Sequence, residues 1–430
     1  MTPTMRLLLG IGHWRLIGGS ERYALETARQ LAARGHEVTV LHGTGEGYPE
    51  PGLAFELFEP LGELTPDARD RRRLRARLSE LRPDLIFQLT PCASWVIEEQ
   101  LRAAPLVRFV QDHTLFCPGL NKMLVEGQPC TEPMGMGCLT RHWFGESCHG
   151  LSGTHTRGDV LGPTSRLRAK QRELQLSARS QRLLVGSRYM ADELIAVGMS
   201  EEQIAILPYC TQAGTDGQGA EHAADLPEAT REFLAAGVEP VLFTPARLTL
   251  PDKGVDFLLT ALTKVTGSFR AIISGSGPAA EWLQQKATDE GLGDRVHFTG
   301  WLNAGPLEHL YTQADLVIFP SVWDEPFGLV GIEAMAHGVP VVAFEVGGVR
   351  EWLTEGVGGW GVPRRDVDAM ARAIDHALAD PDLRREVGEA GRQRVERDFR
   401  PQGYYDQLEA LLQNCASAPG SDMAPDPAQT

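Results

Sequence analysis

No uninterrupted apolar run in the 430 residues approaches the roughly 20 that a membrane-spanning helix needs, so an integral membrane protein of that type is excluded. Basic charge is in deficit, with 41 Lys and Arg against 57 Asp and Glu and a net charge of −16. That balance argues against general nucleic-acid binding, which relies on a basic surface neutralising phosphates. Cysteine numbers only seven and forms no C-x2-C pair, which excludes a disulfide-dense scaffold and the common zinc ribbons. Repeats of solenoid type are absent. Met1 leads straight into the apolar stretch Met5–Ile11, without the basic start and small-residue cleavage site of a secretory signal. The expectation is a cytoplasmic protein. What is present is ordinary for a soluble α/β chain: 42% apolar and 23% charged residues.

A chain of this length exceeds what one hydrophobic core organises, so two domains are expected. The opening reads strand, glycine loop, helix, strand: Met5–Ile11, then Gly18 and Gly19, a helix from about Ser20 to Arg34, and Val38–Leu41. Ala24, Leu25, Ala28, Leu31 and Ala32 recur at helical spacing, and Gly35 stands where a C-cap glycine belongs. This is a βαβ unit, which demands parallel strands. Leu85–Leu89, Leu106–Val110 and Leu183–Val185 read as further strands of the same sheet. A second series, Val241–Phe243, Arg270–Ser274, Val296–Thr299, Leu316–Phe319 and Val339–Phe344, reads as another doubly wound sheet. The expected division is a first Rossmann-like domain over residues 1–208 with a cysteine-rich insertion at 113–155, then a linker at 209–237. A second Rossmann-like domain over 238–400 follows, with a helix over 401–416 in position to pack back on the first domain and a disordered tail over 417–430.

The densest chemistry lies in Pro320–Gly348, PSVWDEPFGLVGIEAMAHGVPVVAFEVGG. A strand ends at Pro320, a loop carries Glu325, and a helix starts near Phe327 or Gly328 and ends at Gly338. Ligands of such sheets bind at the carboxyl ends of the strands. Amides at the helix start, around Gly328 and Leu329, suit a phosphate anion. Glu333, one to two turns into the helix, is placed for a carboxylate to take both ribose hydroxyls, and Glu325 for a position beside the sugar. Either acid alone would read as solvated surface; on an Ala/Met helix with only Glu333 and His337 polar, a buried site is the stronger reading. Arg247 and Lys253 in ARLTLPDKG follow a strand end and suit a diphosphate, the one as a fork and the other as a point charge.

The segments ARLTLPDKG, ISGSGP, VHFTGW, ADLVIFPS, EPFGLVGIEAMAHGVPVVA and EVGGVREWL resemble glycosyltransferase family 4 over nearly the whole second half. The opening GGSERYALETARQLAARGHEVTV also resembles that family. The resemblance implies a GT-B fold, in which two Rossmann-like doubly wound parallel-sheet domains face a central cleft. It implies a retaining transferase that moves a sugar from a UDP- or GDP-sugar to a hydroxyl acceptor in polysaccharide, glycolipid or other glycoconjugate synthesis. It further implies that no cofactor or metal is required and that the departing phosphate takes the acceptor proton. The spacing Glu325 to Glu333 matches the family's E-x7-E motif. Carried over with it are Glu333 as the ribose ligand, Glu325 as the acid near the transferred sugar, Arg247 with Lys253 as the diphosphate clamp, and Gly18, Gly19 and Gly275 as donor- or acceptor-side contacts. The family often presents a His-Asp pair in the first domain, where this chain has Gln111, Asp112 and His113; Asp112 and His113 are the candidates. Ala246 replaces a customary glycine and Ser276 a customary acid.

Three features admit two readings each. Cys117, Cys130, Cys138 and Cys148, with His142, His149 and His155 nearby, form either a metal site or an acceptor-side loop with ordinary thiols; the irregular spacing favours the loop. Arg69, Arg71, Arg72, Arg73, Arg75 and Arg77, interleaved with Leu74, Leu78 and Leu81, form either a solvated helix face or a surface that leans on anionic lipid; the solvated face is favoured. A nicotinamide-dependent oxidoreductase is disfavoured, because Arg15 replaces the third glycine after Gly10-x-Gly12 and no acid ends the second strand. A non-catalytic nucleotide-sugar-binding regulator on the same fold stays open.

Overall fold

The opening βαβ pattern folds as its periodicity requires. In the computed structural model, which describes residues 3–12, 19–43, 52–62, 67–125, 127–144, 148, 161–214 and 218–417, strand β1 (Arg6–Ile11) pairs in parallel with β2 (Glu37–His42). The helix Gly19–Ala33 between them buries Ala24, Leu25, Ala28 and Leu31 on the sheet. The chain divides into two units, one of residues 1–121, 132–207 and 404 onward, the other of residues 122–131 and 208–403.

The first unit holds a seven-stranded sheet in the order β3-β2-β1-β4-β5-β6-β7, with β3 (Leu53–Leu57), β4 (Leu85–Gln88), β5 (Leu106–Phe109), β6 (Arg182–Val185) and β7 (Ile204–Ile206), every pairing parallel. The sequence reading missed β3 and β7, both short strands at sheet edges with residues mostly half-exposed. One core face gathers Leu8, Ile86, Trp95, Val96 and Ile97 around Leu74 and Leu78 of the helix Ala68–Leu81. That helix starts where Asp67 accepts the Asp70 N–H at 2.7 Å and stops at Arg82, ahead of Pro83.

Four of the six arginines of this helix are paired with acids. Arg71 pairs with Glu98 at 2.8 Å, Arg73 with Asp70 at 3.3 Å, Arg75 with Glu99 at 2.9 Å, and Arg77 with Glu56 and Glu80. Each pair adds little stability, but together they reduce the positive field of this face. The solvated-face reading of Arg69–Arg77 gains from these pairs. Among the described residues no helix is long and apolar enough to cross a membrane.

The last helix, Pro401–Ser417, belongs to the first unit from Tyr404 onward. It buries Leu408 and Leu412, places the Tyr404 hydroxyl 2.6 Å from that of Tyr23, and sets Glu409 within 3.5 Å of Arg34 and 3.3 Å of His36. Residues 418–430 of the expected tail lie outside the described residues.

The second unit repeats the architecture in the order β10-β9-β8-β11-β12-β14-β13: β8 (Val241–Pro245), β9 (Arg270–Ser274), β10 (Val296–Gly300), β11 (Leu316–Phe319), β12 (Val341–Phe344), β13 (Thr354–Glu355) and β14 (Gly358–Val362). All its strands are parallel.

Two parts of the expected domain plan change. The described residues of the expected linker, 209–214 and 218–237, group with the second unit. Its helix Glu228–Ala235 is held by buried Arg270, whose guanidinium takes the carbonyls of Phe233, Leu234 and Gly237, while Phe233 stacks on His297 at 5.2 Å. Residues 122–131, inside the cysteine-rich insertion, close a small turn in which Met123 bridges Pro129 and Leu124 N–H meets Gln128 O at 2.8 Å. They pack with the second unit, and Gly127 lies directly against Pro251 and Arg365.

Candidate functional site

Parallel strands put the loops after β8, β9, β11, β12 and β14 on one edge of the second sheet, where ligands of such sheets bind. The loop after β8 is drawn onto the end of β11. Asp252 O accepts the N–H groups of Val322 and Trp323 at 3.0 and 3.1 Å, and Gly254, at φ +63°, leaves no room for a side chain, since a Cβ would stand 1.9 Å from Pro320 O. This approach places Lys253 beside Glu325. Lys253 Nζ donates to Glu325 Oε1 at 2.7 Å, the Ser321 hydroxyl donates to the same oxygen at 2.7 Å, and the ammonium lies 5.0 Å from the Trp323 ring centroid. Glu325 is 7% exposed, so its charge is compensated inside the protein and not by bulk water.

The loop is locked from its other side by EVGG. Gly348 N–H donates to Glu325 O at 2.7 Å, Gly347 N–H donates to Asp324 Oδ1 at 3.0 Å, and Arg364, beyond β14, pairs with the same Asp324 oxygen. Ser321, Trp323, Asp324, Asp252 and Arg364 were not singled out from the sequence. The acids and the serine stand in loops where spacing carries no signal, and Arg364 lies roughly 40 residues away along the chain.

Beyond Gly328, at φ +92°, the helix Leu329–Ala336 begins with no side chain capping its first turn, which leaves the N–H groups near Leu329 for an anion. Glu333 lies within this helix, and its Oε2 accepts the Tyr311 hydroxyl at 2.9 Å. Arg247 is exposed on the same loop as Lys253. Gly275, at φ +139°, lets the β9 loop run along the β8 loop, where a Cβ would meet Ala246 O at 1.9 Å and Ala246 N–H bonds Ser274 O at 2.9 Å. This contact seats one loop on the other.

In the first unit Asp112 caps a short 3-10 turn, His113–Leu115, accepting from the Thr114 N–H at 2.9 Å and the Thr114 hydroxyl at 2.5 Å. His113 is fully buried, 2.8 Å from the Tyr189 hydroxyl and edge-on to Phe116. In this arrangement the His113 ring is a core contact. Gln111 Nε2 is taken up by Leu89 O at 2.9 Å. Gly19 opens the first helix; Gly18 lies outside the described residues.

All seven cysteines are described, and none is in a disulfide. Cys130 groups with the second unit and Cys117, Cys138 and Cys148 with the first. Among the described residues no three His, Cys, Asp or Glu side chains gather to hold a metal; His149 and His155 lie outside them.

Behind Glu333 stands a charged pair that the sequence did not announce. His337 Nδ1 lies 2.8 Å from Glu333 O and its Nε2 lies 2.7 Å from Glu308 Oε1. With a carbonyl and a carboxylate facing its two nitrogens, the ring is favoured as an imidazolium. Burial opposes that charge, but the bonds to Glu308 and to the Glu333 backbone carry the His337 pKa above its ordinary 6.5. For Glu308 burial pushes the other way, and the bonds from His337 and Gly214 N–H hold its pKa below 4.5. The raised histidine contributes stability below 6.5 that is lost as pH climbs through its folded pKa; the lowered glutamate contributes stability above 4.5 that is lost as pH falls through its own. His337→Gln is therefore expected to cost about 1 kcal/mol, Glu308 being partly exposed, with the melting-temperature gap to wild type widest between those two values. A gap unchanged from mildly acidic to mildly alkaline buffer would remove the pair from the stability of this unit.

Comparison with known proteins agrees with the geometry. The family model described as glycosyl transferases group 1 matches residues 227–394, and the glycosyl transferase 4-like domain matches residues 18–210. The chain belongs to the group 1 glycosyltransferases of family 4. Among the family's members, the D-inositol 3-phosphate glycosyltransferase of Nocardia farcinica is 28% identical over 394 residues, covering 86% of this chain and 79% of that protein. An uncharacterised glycosyltransferase of Methanocaldococcus jannaschii is 38% identical over 144 residues, 33% of this chain and only 36% of its own length. Among solved structures, HepE of Anabaena in complex with UDP superposes with a TM-score of 0.69 at 20% identity, covering 95% of this chain and 100% of that one. At that identity the likeness speaks for the GT-B fold that this family 4 chain shares.

Proposed function

We propose that the protein is a retaining glycosyltransferase that moves a sugar from a UDP- or GDP-sugar to a hydroxyl acceptor without a divalent metal. The observation that carries this reading is the buried Glu325 carboxylate held by Lys253 and Ser321, eight residues ahead of Glu333 on the same strand-loop-helix edge. In this reading Glu333 takes the ribose hydroxyls, and the first-turn amides at Gly328 and Leu329 take a phosphate. Arg247 and the donors of Lys253 not used by Glu325 meet the charge that builds on the departing diphosphate. That neutralisation is the work a metal performs in other enzymes. Glu325 lies beside the sugar. The bond from the anomeric carbon to the diphosphate oxygen breaks while the acceptor oxygen bonds to that carbon on the same face, and the acceptor proton passes to the departing phosphate. The burial of His113 favours this route, because it withdraws the imidazole that an inverting reaction could have used as general base. UDP is the nucleotide held by HepE, and the Nocardia relative is named for an inositol phosphate; both rank first in a substrate panel.

UDP-, GDP- and ADP-sugars screened by melting temperature, followed by proton NMR of the product formed with a chelator present, test the reading. One nucleotide class should raise the melting temperature, and an α-linked donor should give an α-linked product. A β-linkage would overturn retention, activity lost to the chelator would restore a metal, and a bound donor that is never cleaved or transferred would leave a nucleotide-sugar-binding regulator.

A further inference from the structure

Tyr311, on the helix Ala304–Gln313, is 1% exposed and its hydroxyl donates to Glu333 Oε2 at 2.9 Å. Its ring has nowhere to turn. One face is stacked on His337 at 5.1 Å and 8°, and the edge of Phe243 meets it at 5.1 Å and 85°. His337 is held in turn by Glu333 O and Glu308, and Glu308 Oε1 also takes the Gly214 N–H at 3.0 Å. Gly214 lies so close to the end of Leu329–Ala336 that a Cβ would stand 2.4 Å from Ala336 O. Burial and the neighbouring carboxylate raise the phenol pKa well above 10, so the hydroxyl stays a donor.

We propose that Tyr311 is a positioning residue for nucleotide binding: without touching the ligand, it fixes the Glu333 carboxylate in the orientation that takes the ribose hydroxyls, with His337 and Glu308 bracing its ring. The proposal rests on the reading of Glu333 as the ribose ligand. A glutamate side chain has three torsions, and a partly exposed one samples several rotamers unless a neighbour selects among them. The hydroxyl of a ring locked by stacking is such a selector, and its contribution is felt only by a ligand that uses the carboxylate.

Tyr311→Phe keeps the ring, the stack and the burial and removes the donor alone. UDP and GDP, with their 2′,3′-dideoxy counterparts, are titrated calorimetrically into wild type, Tyr311→Phe, Glu333→Ala and the double variant. Tyr311→Phe is expected to weaken the diphosphate that wild type binds by about tenfold, the effect of losing a hydrogen bond to a charged group. The dideoxy counterpart should bind wild type and Tyr311→Phe within about twofold, and Tyr311→Phe should add nothing in the Glu333→Ala background. Equal losses for the ribose and dideoxy ligands, an additive loss in the double variant, or no loss at all would overturn the positioning role. If Glu333→Ala itself leaves the affinity unchanged, or neither diphosphate binds wild type, it is the ribose-ligand reading that fails. A loss at Glu333→Ala with none at Tyr311→Phe removes Tyr311 alone.

Discussion

Glu325→Gln is expected to lower sugar transfer by about 10²–10³-fold, the range seen when one preorganised electrostatic contact is removed from a reacting centre. Glutamine fills the same space and its carbonyl oxygen can still accept from Lys253 and Ser321, so the loop should keep its shape. What disappears is the negative charge of a carboxylate that is 7% exposed and whose field is little screened by water. Lys253 then loses its ion-pair partner, and with a side-chain exposure of 15% it remains wet enough to tolerate that loss. Initial rates at saturating donor, with the melting temperature as a check on folding, decide the matter. A folded Glu325→Gln within about threefold of wild type would remove Glu325 from the chemistry.

Gly254→Ala is expected to be strongly destabilising to the second unit. The position combines φ +63° with a Cβ that would stand 1.9 Å from Pro320 O and 3.2 Å from Val322. A left-handed alanine costs roughly 1–2 kcal/mol, and forcing a buried loop off the end of β11 adds about 1–3 kcal/mol. The sum, about 3 kcal/mol, corresponds to a fall of roughly 6–12 °C in the melting temperature of a unit this size. Donor binding should fall as well, because the same displacement carries Lys253 away from Glu325. Thermal unfolding followed with and without UDP reads both effects. A variant that melts with wild type would show that the two loops are not in contact in solution.

Much of the fold was legible because its signals are local. Short apolar strands such as Leu316–Phe319 are buried on both faces of a parallel sheet, and amphipathic helices such as Gly19–Ala33 bury a periodic stripe, so each announces itself within a dozen residues. Where that signal fades, the reading failed. Strand β14, GGWGV, reads as a loop by its glycines, yet parallel pairing with β12 buries most of it. The helix Pro381–Asp398 carries mostly charged residues, and its seat depends on Val387, Gly388, Gly391 and Val395 meeting a neighbour, a property of the partner as much as of the segment. The stretch 209–237 looked like a linker by composition, yet its helix Glu228–Ala235 is held by Arg270, about 35 residues further on.

The candidate site divides along the same line. Glu325, Glu333, Lys253 and Arg247 were named from sequence, since a strand-loop-helix edge with two acids at fixed spacing, and a basic pair after another strand, are patterns along the chain. That Lys253 and Ser321 share one oxygen of Glu325, that Asp324 is tied to Arg364 and Gly347, and that Tyr311 and His337 stand behind Glu333 are facts of packing between elements. The same packing turned the His113 ring into the core against Tyr189 and paired four of the arginines of Ala68–Leu81 with acids. The sequence by itself determined the two parallel sheets, the family and the identity of the acids and bases, because those depend on periodicity and spacing. Only the tertiary structure decided which charges meet, which are buried and which side chain orients another, because hydrogen bonds and ion pairs act over about 3 Å in space and are blind to distance along the chain.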